Sequence, residues 1–132
     1  MRTLASVAIL ALALTIPAVA GDGHHVKVDL VPNGASGVTG FVQITQLPQG
    51  GSNVTVHVKG LQPGTEYASF YYESADCSEP ADLLQAFTAD TRGNGRAAGK
   101  IDEDLDEVGS VSVRIGPGYG DLLACAVVHP KQ

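Results

Sequence analysis

The chain has 132 residues, two cysteines, no tryptophan and a formal net charge of −6 from 8 Lys+Arg against 14 Asp+Glu. That length holds one domain with a single two-layer core. The acidic balance repels phosphate backbones and anionic lipid, so nucleic-acid and membrane-surface roles are disfavoured, and its main effect is to keep the protein soluble.

Met1-Arg2 is a short cationic start, Leu4 to Ile16 is apolar, and Ala18-Val19-Ala20 offers small residues at a cleavage site. This is the pattern of an export signal over residues 1–20, leaving 21–132 as one secreted or periplasmic domain. The apolar stretch is shorter than the ~20 residues that cross a bilayer, and no second one follows, so no membrane span is expected. No cysteine stands at the cleavage site to carry lipid. Export places Cys77 and Cys125, forty-eight positions apart, in an oxidising compartment, where they read as one disulfide.

Beyond the signal the hydrophobic period is two. Val26, Val28 and Leu30 alternate with Lys27 and Asp29; Val54, Val56 and Val58 with Thr55, His57 and Lys59; Val111, Val113 and Ile115 with Ser112 and Arg114. Each set marks a strand with one buried and one wet face. Gly and Pro clusters at 32–34, 48–51, 63–64, 92–95 and 116–118 mark tight turns between them. The resulting strands lie near 25–31, 37–47, 53–60, 66–74, 83–89, 96–102, 110–115 and 121–128. A helix over Ala81 to Phe87, opened by Pro80, is the alternative to the fifth strand. Eight short antiparallel strands predict an all-β, immunoglobulin-like Greek-key sandwich or flattened barrel. No repeat or linker divides it.

Several groups invite a chemical reading beside a plain one. His57 falls on the polar face of its strand and reads as solvated, and His129 reads as a tail residue. Cleavage after Gly21 would expose Asp22-Gly23-His24, whose amine, amides and imidazole suit square-planar Cu(II); His24 and His25 are thus weak metal candidates. Five carboxylates between Asp102 and Glu107 read as a solvated, extended connection, because the glycine and the bidentate glutamate of the helical calcium loop are missing. Leu61-Gln62-Pro63-Gly64-Thr65-Glu66-Tyr67 has the form of a tyrosine corner. Asn53-Val54-Thr55 is a glycosylation acceptor in a eukaryotic host. Phe70, Tyr71 and Tyr72 either fill the core alternately or form an exposed ligand patch for a peptide, glycan or small aromatic molecule. Ser69 and Ser112 have no histidine partner at catalytic spacing.

Gly37-Val38-Thr39-Gly40 and the run from Val54 to Gly64 resemble the second and third strands and following turn of copper/zinc superoxide dismutases. Asp76-Cys77-Ser78, Thr88-Ala89-Asp90 and Leu122-Leu123-Ala124-Cys125-Ala126-Val127-Val128 extend the likeness over nearly the whole exported chain. The resemblance implies a dismutase-like barrel and again a Cys77–Cys125 bridge. It also implies that the metal ligands are gone. The family's His-Gly-Phe-His-x-His strand is replaced by Tyr67-Ala68-Ser69-Phe70-Tyr71-Tyr72, with Phe70 and Tyr72, or in the other register Ser69 and Tyr71, at the copper-ligand positions. Arg114 stands at the last copper histidine, and Leu122 at the anion-steering arginine. The zinc loop is reduced to Ser78–Ala81, leaving Asp82 to match the zinc aspartate alone. Copper and zinc sites need several convergent imidazole, thiolate or carboxylate donors, and a phenol stays protonated at neutral pH.

The sequence therefore predicts an exported, non-catalytic, dismutase-like domain with a structural or binding role and no cofactor. Its partner would be an extracytoplasmic protein or small molecule. The alternatives are a metal-handling protein with residual copper or zinc affinity through His24, His25 or Asp82, and an adhesion module that docks through exposed tyrosines.

Overall fold

A computed structural model describes residues 24–129. Residues 1–20, expected from the sequence to be an export signal, lie outside these described residues. Eight strands follow one another: β1 (His25–Pro32), β2 (Thr39–Gln46), β3 (Ser52–Lys59), β4 (Glu66–Tyr72), β5 (Ala81–Thr88), β6 (Gly95–Ile101), β7 (Ser110–Ile115) and β8 (Leu122–Val127). One turn of 3-10 helix, Leu105–Glu107, precedes β7. Residues 81–88 are a strand, because pairing with β4 and burial of Phe87 against Tyr67 override the local helix preference.

The strands pair antiparallel in the order β5-β4-β7-β8-β1-β2-β3-β6. The two end strands, β5 and β6, come together, so the sheet curls into a nearly closed barrel. Where they meet, the Gln85 side chain replaces a ladder contact: its Oε1 accepts the Ala98 N–H at 2.8 Å. An edge donor is thereby satisfied rather than left as a template for another chain.

Period two decides what lies inside. Leu30, Val42, Ile44, Val54, Val56, Val58, Ala97, Val111, Val113, Ala124 and Ala126 all point inward and form one core. The β-branched residues suit a pleated surface, and the small alanines let facing strands approach within a narrow barrel. Slippage of any ladder by one residue would turn these side chains into water, so burial fixes the register.

The connection from β3 to β4 is held by Tyr67, whose ring is buried while its hydroxyl accepts the Gln62 backbone N–H at 2.9 Å. The tyrosine corner expected at Leu61–Tyr67 is thus present, five residues bridged by one phenol. At the far end, the carboxylate run from Asp102 to Glu107 is not the extended loop that charge repulsion alone predicts. Leu105 is buried and anchors the 3-10 turn, the Asp104 N–H donates to Glu107 Oε1 at 2.9 Å, and Asp104 Oδ1 accepts from Gly51 N and Gln46 Nε2 at 2.8 and 2.9 Å. These donors, Gln46 first, hold the Asp104 carboxyl below the usual carboxylate range.

Tyr67→Phe keeps the ring and removes the acceptor, leaving the Gln62 N–H unpaired. The expected cost is about 1 kcal/mol, seen as a lower denaturant midpoint with an unchanged slope. An unchanged midpoint would show that the corner contributes nothing.

Candidate functional site

Strand β4 sends Tyr67, Ser69 and Tyr71 toward the barrel interior and Ala68, Phe70 and Tyr72 to the outer face, beside Arg114, Ser112 and Ser110 of β7. An outer face would ordinarily be wet. Here it is covered by two segments, the loop 73–80 and the turn 116–121, which make a second small core of Ala68, Phe70, Tyr72 and Cys77, with Ala81, Ala86, Leu122 and Cys125 packed against it.

The disulfide Cys77–Cys125 ties the first cover to β8, with 6.1 Å between the Cα atoms. Cys77 adopts a left-handed backbone, φ 57°, which is costly for a residue with a Cβ. Ser110 supports that conformation: its Oγ accepts the Cys77 N–H at 2.9 Å and donates to the Ser74 carbonyl at 2.7 Å. Gly109 lies so close beneath the loop that any Cβ there would strike the Glu73 and Ser74 carbonyls.

Arg114 joins both covers to the barrel. Its Nε donates to Tyr72 Oη at 3.0 Å, Nη1 to the Gly120 carbonyl at 2.9 Å and Nη2 to the Cys77 carbonyl at 3.2 Å. The guanidinium also stacks on Tyr119, 3.8 Å from the ring centre, and Tyr119 meets Phe70 edge-on at 4.9 Å. Tyr72 lies 2.7 Å from Ser112 Oγ, and the Ser112 carbonyl accepts from Ser69 Oγ at 2.9 Å. Burial, reinforced by Tyr72, pushes the Tyr119 phenol up to about 12. Burial, with Glu103 and Asp82 nearby, does the same for Tyr71. Both therefore stay neutral hydrogen-bonding groups near pH 7.

Of the two readings of Phe70, Tyr71 and Tyr72, this geometry favours burial over an exposed patch, with the outer rings covered instead of lying on the sheet surface. Phe70 is 8% and Tyr72 1% exposed, and half-buried Tyr71 packs against the main core on the other side of the sheet. Alternation showed that neighbouring rings point opposite ways; it did not show that loops cover the outer ones. The exposed aromatic here is Tyr119, 39% accessible, which lies in the Gly-rich turn and carries no periodic signal.

The metal candidates do not converge. Asp82 is exposed on β5 opposite Tyr71, His24 is exposed just before β1, and His25 meets Thr45 Oγ1 at 2.9 Å. Asp22 and Gly23, which would complete a copper site with His24, lie outside the described residues. His57 is half-buried and stacks on Phe41, centroids 4.7 Å apart, rather than standing free in water. His129 is likewise no free tail residue, because its Nδ1 lies 2.8 Å from the Val108 carbonyl and its backbone N–H reaches Gly109. Among the described residues the only triple of His, Cys, Asp or Glu close enough to share an ion is Asp104, Asp106 and Glu107, and Asp104 is already engaged by backbone and amide donors. Depressions of about 510 Å³ beside His24 and Asp104 and about 610 Å³ beside Ser74, Asp76 and His129 are open to solvent.

No known protein-family profile matches the chain, and no curated protein matches it. The Arg114 cluster must therefore be understood from its own chemistry.

Arg114→Met preserves much of the packing but removes the donors to the Gly120 and Cys77 carbonyls and leaves the Tyr72 hydroxyl with Ser112 alone. A loss of about 2 kcal/mol is expected, and a double-mutant cycle with Tyr72→Phe should show coupling of about 1 kcal/mol. Strict additivity would mean that the two side chains act independently. Reducing the disulfide opens a loop spanning 48 positions, for which chain entropy gives about 4 kcal/mol; calorimetry with and without reductant should show a matching fall in Tm.

Proposed function

We propose that the protein is an exported, non-catalytic relative of the copper/zinc superoxide dismutases whose metal site has become a packed arginine–aromatic cluster, and whose role is structural or binding. One observation carries the reading. The outer-face positions that the sequence resemblance assigns to copper ligands hold Phe70, Tyr72 and Arg114, and the Arg114 guanidinium fills the space between the strand, the disulfide loop and the covering turn. The eight-stranded antiparallel barrel and the Cys77–Cys125 bridge agree with the same resemblance.

These residues do not fit a redox metal. A copper centre needs convergent imidazoles that remain ligands in both oxidation states. Arginine is permanently charged, offers no lone pair and repels a cation at the same point. The phenol of Tyr72 already accepts from Arg114 and pairs with Ser112. Residues that once could have exchanged ligands with solvent instead weld two loops to the barrel. Export is supported by the disulfide, which persists in oxidising compartments. No helix among the described residues is long and apolar enough to cross a membrane.

After incubation with Cu(II) and Zn(II) and exhaustive dialysis, the purified protein should retain far less than one metal per chain and should not accelerate superoxide decay above a metal-free control. The triple variant F70H/Y72H/R114H should gain Cu(II) affinity by at least about tenfold, a difference of ~1.4 kcal/mol. Stoichiometric copper on the unmodified protein overturns the reading, and its loss on His24→Ala would move the protein to a metal-handling role at the N-terminus. A folded triple variant with unchanged copper affinity would show that these three positions are not the ancestral ligand set.

A further inference from the structure

The charges of this acidic chain are not evenly spread. Strands β1, β2, β3 and β6 together carry four cations, Lys27, Lys59, Arg96 and Lys100, all exposed, against a single carboxylate, Asp29. The remaining carboxylates of the described residues lie in the other half of the barrel or in connecting segments. Inward positions of the four strands are filled by the core, so every one of these cations stands on the outer face.

The pairing registers place them in order. Asp29, Phe41, His57 and Arg96 form one row across β1, β2, β3 and β6. At the usual strand spacing that row is about 14 Å long. Lys27 Nζ lies 4.4 Å from the Phe41 ring centre, and Phe41 stacks on His57. Lys59 follows His57 two residues along the same face. Beside this row is a depression of about 300 Å³ lined by Phe41, His57, Lys59 and Asn94. The acidic segment 102–107 follows directly on β6 and bounds the Lys100 end, since Ile101 pairs with Ser52. The positive centre therefore lies toward Lys27, Lys59 and Arg96, with Arg92 in the adjoining turn. Asp90 of that turn is occupied in accepting the Arg92 and Asn94 backbone N–H groups.

We propose that this face binds an anionic polysaccharide, a chain of sugars bearing sulfate or uronate groups. Charge complementarity supplies the attraction, and with a Debye length of about 8 Å at physiological salt a ligand on this face feels the local cations more than the chain's net negative charge. Between the cations stand Thr39, Gln43, Thr55 and Asn94, hydroxyl and amide groups suited to sugar hydroxyls. Other polyanions fit less well. Phe41 is already engaged by the Lys27 ammonium and by the His57 ring, which leaves it poorly placed to stack a nucleobase. Its outward residues are mainly polar, and the one strongly exposed large apolar side chain on these strands, Val31, is a small wedge for a bilayer. This inference concerns the other half of the barrel from Arg114 and stands whether or not the dismutase relationship does.

The test is retention of the purified protein on immobilised heparin and on immobilised alginate at low ionic strength, with a duplex DNA and phosphatidylserine vesicles as competing probes. Retention on at least one glycan is expected, with a salt slope that falls by about 2 in K59E/R96E and an affinity about tenfold or more lower, at unchanged Tm. K59Q/R96Q provides the same comparison should charge reversal disturb folding, and Asp29→Asn should tighten binding. No retention on either glycan overturns the proposal, as does wild-type retention by both double variants. Equal or tighter binding to DNA or vesicles overturns the assignment to glycans.

Discussion

The guanidinium of Arg114 is the point at which three otherwise separate parts of the molecule meet. It reaches the end of β4 through Tyr72, the disulfide loop through the Cys77 carbonyl and the 116–121 turn through the Gly120 carbonyl. A half-buried cation is costly unless its protons are engaged, and a planar fork of donors is the side chain best able to engage several acceptors at once. The covers in turn exclude water from Phe70 and Tyr72. Without them, the outer face of β4 and β7 would expose two large rings that the barrel interior has no room to take.

The disulfide and the buried serines act on the same covers by different means. Cys77–Cys125 restricts the unfolded chain, whereas Ser110 and Ser112 satisfy polar groups that the covering loop would otherwise bury unpaired. The left-handed backbone at Cys77 is held in place by the bridge and by the Ser110 contact. Strain, staple and hydrogen bonds are one local bargain, and it explains why a small barrel carries a second core outside its wall.

The two halves of the barrel have divided their chemistry. On the β4–β7 side the outer face is closed, apolar and pinned by an arginine. On the β1–β2–β3–β6 side it is open, polar and positively charged, in a chain whose overall balance is negative. In the closed cluster the polar groups are paired with one another; an open charged face is where recognition can occur with little rearrangement.

Much of this was legible in the residues. Strict alternation in Val26–Leu30 and Val54–Val58 settled strands and faces, whereas in Val111–Ile115 it placed Val111 and Val113 inside but missed that Ser112 is buried beneath the covering loop and that Ile115 is exposed. Two cysteines and no third pointed to the bridge, and the spacing of Tyr67 from Leu61 pointed to its corner. Tertiary structure alone decided that Phe70 and Tyr72 are covered, that Arg114 gathers acceptors from residues up to 42 positions away, and that Asp104 caps a turn instead of lying in an extended acidic loop. It also decided that four scattered cations share a face. The physical reason is the same in each case: local sequence fixes which way a side chain points, but what meets it there is set by strands and loops distant in the chain.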